Sequence, residues 1–285
     1  MNNNQEKPQK LRSLCYSELK RFKNCPKEFW LRYNRVDEDS VTVETPEAII
    51  GEIVHRVASG QDHPRRVKKL LEKFQAQGIL VADNLVELEK QCQSQIKTAR
   101  SLKKLDSSTK THTEKTFRYD HKFTNSEGEV VEITLVAKPD RIGHFEEKGK
   151  TIPEITELKT TDNPHSSHLK QLLYAALVYS RRRFLEKWQT VATKLVLNYA
   201  PKPDAITGVK TGTGVIETSF ASQYRLEEYL TNEIEPAIEE INRRMATGAF
   251  PANVSPGRCR NCPFAAQCNE YQASLNEQPI QGGHS

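Results

Sequence analysis

A chain of 285 residues, 36% hydrophobic and 28% charged, can bury a full core and reads as a polar globular protein. Its formal net charge of +5 permits a polyanionic partner without demanding one. No apolar run approaches the roughly 20 residues that span a bilayer, and the opening MNNNQEKPQK lacks a signal peptide's apolar centre, so the expectation is a cytoplasmic protein with no membrane partner.

Residues 1–12 are polar and predicted to be disordered. Ser17 is placed to cap a short helix whose Leu19 and Phe22 face inward. Pro26 suits the first turn of the next helix, in which Phe29, Trp30 and Tyr33 form an aromatic face. Apolar spacing at Ile49, Ile50, Ile53, Val54 and Val57 predicts a helix over 46–60, with Gly51 and His55 four apart on one face. Residues 61–110 read as a helical insertion with two basic clusters: Arg65, Arg66, Lys68 and Lys69, then Lys97, Arg100, Lys103 and Lys104. Such runs are ordinarily solvated faces; here they are also candidates for contact with a nucleic-acid backbone. Cys92 has no cysteine nearby and reads as structural.

After a strand over 113–123 comes VVEITLVAKPDRIGHFEEKGKTIPEITELKTT, residues 130–161. It holds two β-branched runs joined by a polar loop with Gly143 and Gly149, which is a hairpin signal. The first strand runs into Pro139-Asp140 and the second carries Glu157-Leu158-Lys159. Alternation puts Glu157 and Lys159 on one face and Leu158 in the opposite layer. Asp140 and Glu157 on neighbouring strands could then share a divalent cation, with an ammonium beside it. Carboxylate oxygens suit Mg²⁺ or Mn²⁺, and these ions serve phosphoryl chemistry. The acid-x-Lys tripeptide alone is weak, since Glu18-Leu19-Lys20, Asp120-His121-Lys122 and Glu146-Glu147-Lys148 also fit it. An apolar strand and the preceding Pro-Asp set Glu157 apart.

A long helix over 167–188 places Gln171 and Tyr174 three apart on one face. Strands over 192–199 and 214–219 precede a helix over 226–245. The order predicts an α/β fold with a central mixed sheet flanked by helices. Near the end, Cys259, Cys262 and Cys268 are spaced C-x₂-C-x₅-C, with Pro263 stiffening the turn. A zinc site and an iron–sulfur cluster both need four ligands. The fourth must come from far away, and Cys25, set before Pro26, is a better candidate than Cys15. Residues 272–285 are predicted to be disordered.

Gly51-x-x-x-His55, Pro139-Asp140, Glu157-x-Lys159 and Gln171, in that order, resemble the PD-(D/E)xK nuclease superfamily and within it the RecB-like branch. The resemblance implies one nuclease domain over 13–271, in which Asp140, Glu157 and the Leu158 carbonyl hold Mg²⁺ or Mn²⁺. It makes His55 an additional ligand, favouring Mn²⁺, and Lys159 the catalytic lysine. Gln171 and Tyr174 would contact DNA, although their spacing is one residue shorter than is usual in the family. Cys25 with Cys259, Cys262 and Cys268 is similar to the arrangement in CRISPR-associated RecB-like exonucleases and the AddB nuclease domain. That implies a [4Fe–4S] cluster stapling the first helices to the last.

The function so implied is a metal-dependent DNase acting on single-stranded ends in recombination, repair or CRISPR spacer processing. Its implied partners are helicases or CRISPR adaptation proteins, because the chain has no G-x-x-x-x-G-K-[ST] of its own for ATP-driven unwinding. One rival is a catalytically silent iron–sulfur DNA-binding subunit, against which the intact Asp140, Glu157 and Lys159 argue. Another is a zinc-stabilised adaptor, which would leave the carboxylates unexplained.

Overall fold

The computed structural model describes residues 10–34, 46–80, 83–104, 112–113, 115–161, 165–181, 192–200, 215–260 and 262–276. In chain order the elements are β1 (Ser13–Cys15), α1 (Tyr16–Asn24), α2 (Pro26–Tyr33), α3 (Pro46–Ser59), α4 (Val67–Ala76) and α5 (Leu85–Lys104). Then follow β2 (His112–Thr113), β3 (Phe117–Thr124), β4 (Val130–Ala137), β5 (Arg141–Glu147), β6 (Lys150–Lys159) and α6 (Ser166–Ser180). Last come β7 (Ala192–Tyr199), β8 (Val215–Ser222), α7 (Gln223–Tyr229), a π-helical turn (Leu230–Ile234), α8 (Glu235–Thr247), α9 (Pro256–Cys259) and α10 (Asn269–Asn276). Residues 1–9 of the N-terminus expected to be disordered fall outside the described set. So do the end of the long helix expected over 167–188, beyond Arg181, and the tail beyond Asn276. The tail expected to be disordered from residue 272 is instead helical through Asn276.

The chain divides into two compact units. The larger comprises residues 44–121 and 134–234, and the smaller 1–43, 122–133 and 235–285. The larger unit contains a five-stranded mixed sheet of order β2-β5-β6-β7-β8, in agreement with the expected α/β architecture. Only β6 and β7 are parallel, and α6 supplies the crossover between them and packs on both.

The hairpin lies elsewhere than the sequence suggests. β4 belongs to a separate three-stranded sheet, ordered β1-β4-β3, and β5 pairs with β6. Gly143 sits within β5, opposite Glu154, so the loop is only Lys148-Gly149. Both residues have positive φ, 50° and 72°, as a two-residue type I′ turn requires. Pro139-Asp140 therefore marks the passage from one sheet to the other.

The region expected to be an insertion is part of the core of the larger unit. Ile49, Ile53, Val54 and Val57 of α3 pack with Val67 and Leu71 of α4 and with Cys92, Ile96 and Ala99 of α5, against Leu158 and Ala200. Leu158 thus faces the helical layer, as the alternation of β6 predicts. Cys92 is fully buried there, and burial pushes its thiol up to about 12, which leaves it a small apolar filler.

In the smaller unit, α1 starts at Tyr16 with Cys15 as its N-cap, where Ser17 was the expected cap. Glu18 accepts the Cys15 N–H at 2.7 Å, the reciprocal half of a capping box. The aromatic face of α2 is real: Trp30 stacks on Phe250 at 4.4 Å, and Phe29 is buried against Phe22.

Candidate active site

β6 presents Ile155, Glu157 and Lys159 on the sheet face opposite Leu158. Asp140, at the bend before β5, reaches across to it: its Oδ2 accepts the Leu158 N–H at 2.6 Å. The bond falls between Glu157 and Lys159, so the three side chains share one end of the sheet. From the other side comes His55, whose Nδ1 is 3.2 Å from Asp140 Oδ1. Gly51, one helical turn earlier, explains the close approach of α3. A Cβ there would lie 3.2 Å from Thr160 Oγ1, just past the end of β6.

Gln171 closes the group from α6. Its Nε2 donates to Glu157 Oε2 at 3.0 Å, and its Oε1 accepts from Lys159 Nζ at 2.8 Å. Lys159 in turn lies 3.3 Å from Glu157 Oε2. Glu157 is almost wholly buried, 3% exposed.

The two carboxyls are pushed apart in acidity. Burial, and after it the nearby Asp140 charge, drive Glu157 up to about 8 against the opposing Lys159 ammonium. Asp140 also suffers desolvation, yet its hydrogen bond and charge contact with His55, the Leu158 N–H and Lys159 hold it below the usual carboxylate range. Metal-free, the pair therefore carries a proton at neutral pH. Two acids held together at such a cost mark a place suited to a cation.

The sequence profile of the PD-(D/E)XK nuclease superfamily matches residues 13–269. The chain belongs to that superfamily. Two solved structures are similar. One, from Eubacterium rectale and named as a candidate exonuclease, has a TM-score of 0.48 and 14% identity, covering 96% of this chain and 91% of that one. The other, SSO0001, has a TM-score of 0.33 and 16% identity, covering 90% of this chain and 95% of that one. No curated protein matches in sequence.

PD-(D/E)XK nucleases generally use Mg²⁺ or Mn²⁺. Among the described residues, no three His, Cys, Asp or Glu side chains have the geometry to hold a metal ion as they stand. The reason is visible in the pairings: Asp140 spends its oxygens on Leu158 and His55, and Glu157 is held by Gln171 and Lys159. Mg²⁺ asks little of the protein, since one or two carboxylates suffice and water completes its shell. The donor set fits such an ion.

In the smaller unit, Cys25, Cys259, Cys262 and Cys268 all line one cavity of about 20 Å³, room for roughly one water-sized sphere. Backbone N–H groups meet the sulfurs. Asn253 donates to Cys25 at 3.5 Å and Ser255 to Cys259 at 3.4 Å, while Phe264 and Tyr271 serve Cys262 and Cys268. Burial pushes the Cys262 and Cys268 thiols up, so a cation is what would make them thiolates. Four thiols with backbone donors are the donor chemistry of a thiolate-bound centre, but as they stand they too lack the geometry to hold a metal ion. Cys15 is not among them.

The remaining expectations divide. Gln171 is at the site. Tyr174 is a correction: it is 1% exposed, in the core under α6, and offers no face to a nucleic-acid strand. Three residues after Gln171 the helix has turned toward the apolar layer of Leu173 and Leu177. Arg65, Arg66, Lys68 and Lys69 are exposed, but Arg66 pairs with Asp62 and Lys68 with Glu72. Of the second cluster, Arg100 donates to the Val57 carbonyl.

Two residues at the site have no counterpart in the sequence reading. His168 lies one turn before Gln171, and Gln95 interrupts the apolar stripe of Cys92, Ile96 and Ala99 on α5. Both line a cavity that includes Lys159. The signal for Gln95 was a polar residue at a stripe position.

Proposed function

We infer that the chain is a divalent-metal-dependent deoxyribonuclease acting on single-stranded DNA with free ends. The observation that carries this reading is the pairing of half-buried Asp140, with His55 at 3.2 Å, and buried Glu157, with Lys159 at 3.3 Å. Asp140 and Glu157, with His55 and the Leu158 carbonyl, are the groups that would hold Mg²⁺ or Mn²⁺. The ion, when bound, supplies Lewis acidity toward the scissile phosphate and the attacking water. Lys159 orients that water and offsets developing negative charge. Gln171 fixes the Lys159 ammonium and the Glu157 carboxylate relative to one another. The exposed Arg65 and Lys69 attract the backbone without reading sequence.

Cys25, Cys259, Cys262 and Cys268 would carry a [4Fe–4S] cluster as a structural staple. Recombination, repair or CRISPR spacer processing in the cytoplasm is the setting, with a helicase or adaptation protein as partner. The test is end-labelled single- and double-stranded DNA offered to anaerobically purified protein with Mg²⁺, Mn²⁺ or EDTA. Degradation from the ends of single strands, absent with EDTA and in Glu157→Ala, is expected. Equal activity in EDTA, or none with either metal, refutes the reading.

A further inference from the structure

A sheet edge in a natural protein is ordinarily short, charged or covered, because its unpaired N–H and C=O groups invite another strand. Among the described residues, three of the four edge strands follow that rule. β1 and β2 are three and two residues long, and β3 turns Arg118, Asp120 and Lys122 to solvent. β8, the last strand of the larger unit's sheet, does not. It is eight residues long, contains no proline and carries Glu217 as its single charge. Ile216 and Phe220, on one of its faces, are 36% and 47% exposed, and Thr218 between them is exposed too. No described strand pairs with its outer side.

Arg225 reveals which backbone groups face outward. Its guanidinium donates to the Phe220 carbonyl at 3.3 Å, so that carbonyl points away from β7. In an antiparallel ladder the N–H and C=O of one residue lie on the same side, and the side alternates along the strand. Ile216, Thr218 and Phe220 therefore direct their backbone groups outward, while Glu217, Ser219 and Ala221 bond to β7.

We propose that β8 pairs antiparallel with β8 of a second copy, about a two-fold axis through Thr218. A two-fold contact is self-complementary, so the residue on the axis faces itself and few registers are open. With Thr218 there, Ile216 of each copy lies opposite Phe220 of the other. The outward N–H and C=O groups also meet, once Arg225 releases the Phe220 carbonyl. Centring on Glu217 would set like charges face to face. Centring on Ser219 would put Ile216 opposite Ser222 and Phe220 opposite Thr218. Only Thr218 joins the two exposed apolar residues, and it does so twice.

The axis stands perpendicular to the joined sheet, so the two β6 strands run in opposite directions. Their Asp140–Glu157 centres then fall at opposite ends. Such a dimer tethers two sites and does not build a shared one. A contact one strand long is small, so a reversible dimer in the micromolar range is expected.

The test is sedimentation velocity of the full chain, purified anaerobically and without DNA, across micromolar concentrations. The wild type is expected to shift from monomer to dimer. Thr218→Pro removes an outward N–H and no bond to β7, so it should stay monomeric with an unchanged Tm. Ile216→Lys and Phe220→Glu should each weaken self-association about tenfold. Mixing those two variants should restore much of it, because an ammonium at 216 then faces a carboxylate at 220. Should Thr218→Pro fail to fold, the mixture decides alone. A wild type that is monomeric at every concentration overturns the dimer and leaves the edge to a strand of another protein. Wild-type affinity in Thr218→Pro, or a mixture no tighter than its components, also overturns the pairing.

Discussion

Asp140 accepts the Leu158 N–H at 2.6 Å, and that bond registers the bend before β5 to the middle of the Glu157-Leu158-Lys159 segment. Asp140 thus occupies one position relative to both functional side chains of β6, whatever fills the site. Its charge is also the second cause, after burial, of the raised Glu157 pKa. Asp140→Asn should keep the acceptor near the Leu158 N–H while removing the charge, and Glu157 should titrate at lower pH than in the wild type. Carboxyl ¹³C shifts followed against pH check this; an unchanged Glu157 midpoint would refute the coupling.

Stability of the metal-free protein should fall as pH rises. Glu157 is raised from 4.5 to about 8 in the fold, so its contribution is present in full below its unfolded value and is lost as pH climbs through the folded one. Asp140 is lowered, so its contribution is present above its ordinary value and is lost only in acid. Between about pH 5 and pH 8 the net effect of the pair is destabilising by a few kcal/mol. Thermal melts in EDTA should show Tm dropping over that window, with Glu157→Gln flattening the drop. Added Mg²⁺ or Mn²⁺ should raise Tm more at pH 8 than at pH 5, because binding must displace the proton. A Tm that rises with pH equally in both proteins would contradict the pairing.

The Glu157-Leu158-Lys159 segment was readable because side chains alternate along any strand, so Leu158 takes one face of β6 and Glu157 and Lys159 the other. Asp140 was readable as a residue but not as a place. Nothing in a run of β-branched residues says which sheet it joins, so the two-sheet passage at Pro139-Asp140 was hidden and Gly143 passed for a loop glycine. Tyr174 failed for another reason. Three residues along a helix is near enough to one turn to suggest a shared face, yet α6 is apolar through seven consecutive buried positions from Leu172 to Val178. Such a helix has no polar side to choose. Gln95 was missed because 61–110 read as an insertion, and its hydrogen bonds go to carbonyls 65 and 105 residues away in the chain.

The thiol cavity makes a sharp distinction among cysteines. Anaerobic protein should be brown and contain iron and sulfide, and Cys25→Ala or Cys262→Ala should bleach it and lower Tm. Cys92→Ala should keep the colour and cost roughly 1 kcal/mol from a small buried void. Metal analysis with absorbance decides. Stoichiometric zinc without iron would replace the cluster by a zinc site on the same four thiols.

Local pairing divides the basic cluster. Arg66 and Lys68 are partly neutralised by Asp62 and Glu72, at 3.6 and 4.0 Å. Among the described residues, Arg65 and Lys69 have no such acid. Arg65→Ala with Lys69→Ala should therefore weaken single-stranded DNA binding more than Arg66→Ala with Lys68→Ala. The first pair should reduce the slope of log K against log salt by about 0.7 for each phosphate no longer neutralised. Identical slopes in the two double variants and the wild type would make the cluster an ordinary solvated face.

Lys159 and Gln171 are assigned different duties, and kinetics can separate them. Lys159 acts mainly as charge develops, so Lys159→Ala should bind metal and DNA nearly as the wild type does while kcat falls by two or more orders of magnitude. Gln171 touches both Glu157 and Lys159, and its loss loosens each without removing either. Gln171→Ala should cost about tenfold to a hundredfold in kcat, and Gln171→Glu should do worse, since it adds a third acid beside Glu157 and traps the Lys159 ammonium. His55→Ala should hurt more with Mn²⁺ than with Mg²⁺, because imidazole is worth more to the softer ion. Single-turnover cleavage with DNA binding measured in parallel checks all of these. Full activity in Lys159→Ala would remove the lysine from the reaction and, with it, the assignment of the site.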